Sequence, residues 1–121
     1  MKRIVVIILA LVIGGCVTPS IPIPPPSPER MTFSVDSAAG VARFSYAPSE
    51  IYADSTVYVF NRDRGVGVIT TSQADGRVLP SEPFAAQIGD QVVVTFERDQ
   101  QAVSTCIRLR DGNQSATDAC E

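Results

Sequence analysis

From Met31 to Arg110 apolar residues recur at every second position in short runs, and turn-forming residues separate the runs. A period of two places alternate side chains on opposite faces of an extended strand, whereas a helix needs a period near 3.6. No window in this region has the helical period, so the chain is predicted to be all-β. Met31, Phe33 and Val35 alternate with Thr32, Ser34 and Asp36, and Ala42, Phe44 and Tyr46 follow the turn Ala39-Gly40 to complete a hairpin. In Thr56 to Asn61, Val57 and Val59 oppose Tyr58 and Phe60, the pattern of a central strand or of one covered on both faces. Arg62-Asp63-Arg64-Gly65 then closes a hairpin to Val66–Thr71. After the Asp75-Gly76 turn, Pro80 and Pro83 confine the chain to a sheet edge or a loop. Beyond Gly89-Asp90, Val92, Val94 and Phe96 share a face. In the last run Val103, Thr105, Ile107 and Leu109 point inward, and Ser104, Cys106, Arg108 and Arg110 point outward. About seven strands at this spacing predict a single small antiparallel β-sandwich over residues 31–121.

What precedes this region has a different composition. Six of the nine prolines fall between Pro19 and Pro28, so residues 16–30 cannot be helix or central strand. As polyproline II, fourteen residues (17–30) reach roughly 43 Å, which predicts a linker, with order starting near Met31. Further upstream, Lys2 and Arg3 precede an apolar run from Ile4 to Ile13 that ends in Gly14-Gly15-Cys16. As a helix that run spans only about 15–18 Å, too short for a ~30 Å hydrocarbon core, and it reads as a secretory signal over residues 1–15. Ile13-Gly14-Gly15-Cys16 resembles the lipobox of bacterial lipoproteins. The resemblance implies cleavage between Gly15 and Cys16, with Cys16 lipidated and becoming the first residue of the mature chain. Several acyl chains give stable anchoring where one does not. Val17 stands where retained inner-membrane lipoproteins typically carry Asp, so the analogy points to the outer membrane of the cell envelope.

Composition narrows the chemistry. The chain has no His, and its one Lys is Lys2. Neither an imidazole base nor, after cleavage, a lysine amine remains to activate a hydroxyl nucleophile, and no enzymatic activity or cofactor is expected. Loss of Lys2 and Arg3 from ten basic residues leaves eight arginines against 13 acidic side chains, a net charge of −5. Such a surface does not suit nucleic acid. With Cys16 committed to lipid, Cys106 and Cys120 remain, an even number in an oxidising compartment, and are expected to form a disulfide. Cys106 lies on the outer face of the last strand, so the tail from Asp111 is expected to fold back over that face. The oxygen-rich stretch Asp111-Gly112-Asn113-Gln114-Ser115 with Asp118 lacks the full spacing of a calcium loop, and no metal site is assigned.

The order Thr56-Val-Tyr-Val-Phe-Asn61, Ala74-Asp75-Gly76-Arg77-Val78 and Ala86-Gln87-Ile88-Gly89-Asp90-Gln91-Val92-Val93-Val94 resembles the immunoglobulin-like and carboxypeptidase-regulatory-like modules of bacterial surface proteins. It departs from antibody domains in having no Trp and no inter-sheet cysteine pair. The resemblance implies a non-catalytic binding or structural module, held to the membrane through its lipid, with an envelope protein or glycan as partner. Alternatives are a lysozyme-type hydrolase inhibitor and an accessory lipoprotein of a secretion or pilus assembly. Tyr52, in the loop Ala47 to Ser55, and Arg62 and Arg64, at the hairpin tip, are the candidate interaction residues. Tyr46, Tyr52, Tyr58 and Phe60 are the aromatic side chains available for a patch or for the core.

Overall fold

The computed structural model describes residues 22–120, so Gly15 and Cys16 lie outside the described residues. The strands are β1 (Met31–Asp36), β2 (Val41–Tyr46), β3 (Thr56–Asn61), β4 (Val66–Thr71), β5 (Phe84–Ala85), β6 (Gln91–Arg98), β7 (Gln101–Arg108) and β8 (Gly112–Asn113). They form two four-stranded antiparallel sheets, ordered β5-β2-β1-β8 and β4-β3-β6-β7, packed face to face as a sandwich. Alternation decides which side chains meet between the sheets. Met31 and Phe33, Ala42, Phe44 and Tyr46, Val57 and Val59, and Val92, Val94 and Phe96 are buried there with Ile107 and Leu109. β3 is central, between β4 and β6, but it is covered on one face only: Phe60 on the other face is 45% exposed.

With no Trp available, rings spaced along the core fill its length. Phe84 meets Phe33 at 6.4 Å between centroids, Phe33 meets Phe44 at 5.2 Å, and Phe44 meets Tyr46 at 6.3 Å. Tyr46, Tyr52 and Phe96 close the series as a triangle of 5.0, 5.7 and 4.5 Å. Pairs at these separations add about 0.5–1.5 kcal/mol each beyond their area burial. Tyr52 comes from the long interruption between β2 and β3, where a 3-10 turn, Glu50–Tyr52, drives the ring into the core. The loop is therefore a plug for one end of the sandwich. Its placement corrects the expectation that Tyr52 is an interaction residue, because the side chain is only 2% exposed.

The proline-rich segment also differs from expectation. Order does not begin near Met31: residues 23–30 lie against the sandwich as a strap, with Pro26 buried and Ile23 packed on the core. Polyproline II makes no internal hydrogen bonds, so its carbonyls are free to accept. The Tyr52 hydroxyl donates to the Pro24 carbonyl, and the Thr105 hydroxyl donates to the Pro26 carbonyl at 2.6 Å. Ser27 N–H donates to the Tyr46 hydroxyl at 3.0 Å, and Ile23 N–H to Gln101 Oε1 at 3.1 Å. The strap thus satisfies the two tyrosines that the core buries. A 3-10 turn, Pro28–Arg30, then delivers the chain into β1.

The C-terminal tail stitches the far side. β8 pairs with β1, Thr32 opposite Asn113, and the chain then returns to β7, where Ala119 bridges Ile107 and Cys120 N–H donates to the Cys106 carbonyl at 2.9 Å. Cys106 and Cys120 are disulfide-bonded. The tail runs along the edges of both sheets instead of over the outer face of β7, because its backbone groups find lateral partners there. A loop of 14 residues closed this way is worth about 3 kcal/mol in the chain-entropy model. The β6–β7 turn, unmarked in the sequence, uses Asp99 and Gln100 at φ of 50° and 66°, the left-handed pair that a tight hairpin requires.

Two glycines separate backbone strain from steric conflict. Gly76 (φ +83°) lies against the plug, where an added Cβ would stand 1.6 Å from the Ser49 carbonyl oxygen. Gly89 (φ +94°) faces open space. Gly89→Ala is expected to cost about 1–2 kcal/mol from backbone strain alone, and Gly76→Ala about 2 kcal/mol more, as the plug must shift. Urea unfolding midpoints of the two variants would show the difference, and equal losses would contradict it.

Candidate interaction surface

The two ends of the sandwich carry different loops. One end holds the plug, the Gln73–Gly76 turn, the β6–β7 turn and the strap. The other holds the turn before β2, the hairpin tip 62–65 and the Gln87–Asp90 turn. At the second end the sequence places a buried polar centre. Asn61 points inward at the end of β3, fully buried, and Asp90, 9% exposed, sits beside it at the start of β6. Asp90 Oδ2 accepts from Asn61 Nδ2 at 2.8 Å, from Arg64 Nε at 2.7 Å and from Gln87 N–H at 3.0 Å. Asn61 Nδ2 also donates to the Ala85 carbonyl at 3.1 Å, tying the two sheets together.

Burial pushes the Asp90 carboxyl up, but the hydrogen bonds from Asn61, Gln87 and Arg64, together with the Arg64 charge, outweigh it. The net effect holds Asp90 below its ordinary value of 3.8. The loops inherit this rigidity. Asp63 Oδ2 accepts from Gln91 N–H at 2.8 Å, and Asn61 Oδ1 accepts from Asp63 N–H at 3.0 Å. Ile88 stands 59% exposed at the tip of the turn that Asp90 holds.

The candidate arginines separate here. Arg64 is half-exposed and paired with Asp90, so it organises the turn. Arg62 is exposed and reaches over the outer face of the β4-β3-β6-β7 sheet, its guanidinium 4.0 Å from Cys106 Sγ. The structure does not bring Tyr52 near either of them. Of the four aromatics, Tyr46 and Tyr52 belong to the core, whereas Tyr58 and Phe60 face outward from β3. Tyr58 donates to Glu97 Oε1 at 3.1 Å, and that bond, with the glutamate charge, raises its phenol above the usual value. Among the oxygen donors of residues 111–118, Asp111 Oδ1 accepts from Val35 N–H at 2.9 Å and Asp118 Oδ2 from Ser115 N–H at 2.7 Å. Those carboxylates cap backbone, and among the described residues no group of three or more acidic or Cys side chains could hold a metal ion.

A feature not singled out from the sequence lies on the outer face. Tyr58 and Ile69 are opposite one another across β3 and β4, and Phe60 is opposite Gly67. Ile69 is 69% exposed and Phe60 45%. A groove of about 270 Å³ lies between Phe60 and Ile69, lined also by Tyr58, Gly67 and Val68, and at Gly67 the two strands approach so closely that an added Cβ would collide with the Val59 carbonyl oxygen. The signal was available: a two-faced apolar β3 beside a strand, Val66-Gly-Val-Ile-Thr-Thr71, with no charge and one glycine. No known protein-family model, curated protein or solved structure matches this chain.

The Asp90 centre makes stability pH-dependent with a defined sign. A carboxyl whose native pKa lies below its unfolded value stabilises the fold above the unfolded value, and that contribution is lost as pH falls through the native one. Thermal midpoints of the wild-type chain are therefore expected to fall on acidification below about pH 4. Asp90→Asn is expected to be less stable near neutrality and to show a shallower acid decline; parallel curves for the two proteins would exclude Asp90 as the source.

Proposed function

We propose that this chain is a cell-envelope lipoprotein, acylated at Cys16, whose immunoglobulin-like sandwich is a non-catalytic binding or structural module. The observation that carries the reading is the apolar groove of Phe60, Gly67 and Ile69, exposed on a sheet held rigid by the Asp90 centre and the disulfide. An exposed apolar surface bordered by a polar pair, here Tyr58 and Glu97, suits contact with another protein. The carboxylates best placed to be held in position serve the fold: Asp90 is fixed ionised by three donors, and Asp111 and Asp118 accept backbone N–H groups.

The strap changes how far such a module stands from its anchor. With Ile23 seated on the core, only six residues (17–22) separate it from Cys16, so chain length limits the separation to at most about 25 Å. A strap lifted off the sandwich would extend this roughly twofold. The sandwich is therefore held close to the bilayer.

A second reading, a hydrolase inhibitor, is favoured by Ile88, an exposed aliphatic side chain on a turn held from behind by Asp90. Turbidity assays against lysozymes, with Ile88→Asp as the control, separate it from the first: inhibition lost in the variant would establish the inhibitor.

The anchoring itself has a direct test. Wild-type chain is expected in the membrane pellet and Cys16→Ser in the soluble fraction. Equal soluble amounts before and after the substitution would overturn the reading.

A further inference from the structure

Ile23, Pro24, Pro25 and Ser27 each precede a proline, which disfavours helical backbone and holds this part of the strap in polyproline II before it docks. That conformation has three residues per turn, so positions three apart share an edge. Ile23 packs on the core and Pro26 is buried, whereas Pro24 and Pro25 between them are exposed. Among the described residues, the hydrogen bonds from sandwich side chains to residues 23–27 all go to the strap's main chain. The Tyr52 and Thr105 hydroxyls donate to the Pro24 and Pro26 carbonyls. The Tyr46 hydroxyl and Gln101 Oε1 accept from the Ser27 and Ile23 N–H groups. The seat therefore reads a backbone shape and two side chains, an aliphatic one and a proline three residues later. Its four polar groups are neutral, as are the strap positions that they meet.

We propose that this seat is a binding site for proline-rich peptide, with the strap as its resident ligand, and that a polyproline II segment of another protein, carrying an aliphatic residue three positions before a proline, displaces it. Segments of this class dock on aromatic surfaces at low ordering cost, because they are extended before they bind. The seat outlasts the strap. Tyr46 and Tyr52 are held by each other and by Phe96, so their hydroxyls keep their places when the strap leaves. A second copy brings the same segment already seated in its own molecule, and exchanging the two gains no contact; the competitor is a foreign segment. The strap continues into β1 through the Pro28–Arg30 turn, so it meets the seat at high effective concentration and lowers the competitor's apparent affinity. Capture of the competitor and release of the strap are one event. In a chain anchored at Cys16, the reading proposed above, release adds residues 23–30 to the tether, so partner binding and reach are coupled.

The probe is the capped peptide Ile-Pro-Pro-Pro-Ser, the sequence of residues 23–27, titrated into the full chain in mild detergent. Amide exchange of the wild-type chain, read by NMR, is the first measurement. At saturating peptide the Ile23 and Ser27 amides of the strap are expected to exchange roughly threefold faster or more, and unchanged exchange would overturn the proposal. Pro26→Asp puts a charge at the buried strap position, with Ile23→Asp as a second releasing variant. Each is expected to bind the peptide about tenfold more tightly than wild type, since the seat is then vacant. In either background Tyr52→Phe or Thr105→Val, which remove one hydroxyl donor each, is expected to weaken binding roughly fivefold. Two control peptides are expected to bind about tenfold more weakly. Asp-Pro-Pro-Pro-Ser lacks the aliphatic side chain; Ile-Gly-Gly-Pro-Ser keeps both seated residues and loses the preformed conformation. Equal affinity for all three peptides, binding indifferent to both hydroxyls, or dissociation of a strap-exchanged dimer on adding peptide would each overturn it. Membrane fractionation of the same preparations reports on Cys16 independently.

Discussion

Two buried phenols shape one end of this molecule. Tyr46 and Tyr52 carry enough ring surface to close a core that has no Trp, but each brings a hydroxyl that cannot be left without a partner. The outlet is the proline strap, whose carbonyl at Pro24 and N–H at Ser27 meet those hydroxyls. Burial, with Tyr46 as a lesser cause, pushes the Tyr52 phenol up to about 12, so the neutral form that donates to the strap persists well into the alkaline range. Plug, strap and aromatic core are consequently one unit.

The opposite end is organised by charge instead of rings. Asn61 and Asp90 put an amide and a carboxylate into the inter-sheet space, and every polar side-chain atom buried among the described residues has a partner. A satisfied buried network rigidifies the loops above it, and a half-satisfied one would cost more than an apolar core. Arg64 belongs to that network. Arg62, two residues away, does not, because it leans over the outer face toward the disulfide.

Much of the sandwich was legible. The alternation in β1, β2, β3, β6 and β7 identified the buried faces, and Cys106 to Cys120 was the expected bond. The misreadings share a cause. Tyr52 looked exposed because a nine-residue loop, Ala47 to Ser55, has no period from which burial can be read, and only the ring space beside Phe96 decides where it goes. Prolines 24 and 26 looked like spacer because their local conformation is the same whether solvated or docked; docking depends on hydroxyls 28 and 79 positions away in the chain. Asp99-Gln100 carries no glycine, so the tightest turn in the fold had no marker.

Sequence by itself determined what local chemistry can determine: the all-β class, from a period of two; the strand faces; the turns at Gly76 and Gly89; and the absence of His throughout and of Lys beyond position 2. The tertiary structure alone decided which edges are covered and which is open. Edge status depends on where a neighbouring segment ends in space. The tail covers the β1 edge at Thr32 and Phe33 and the β7 edge at Cys106, while nothing among the described residues hydrogen-bonds to the open side of β4. An exposed strand and a buried one can share the same alternation, because periodicity fixes the direction of side chains and leaves the lateral partners of the backbone to the assembled fold.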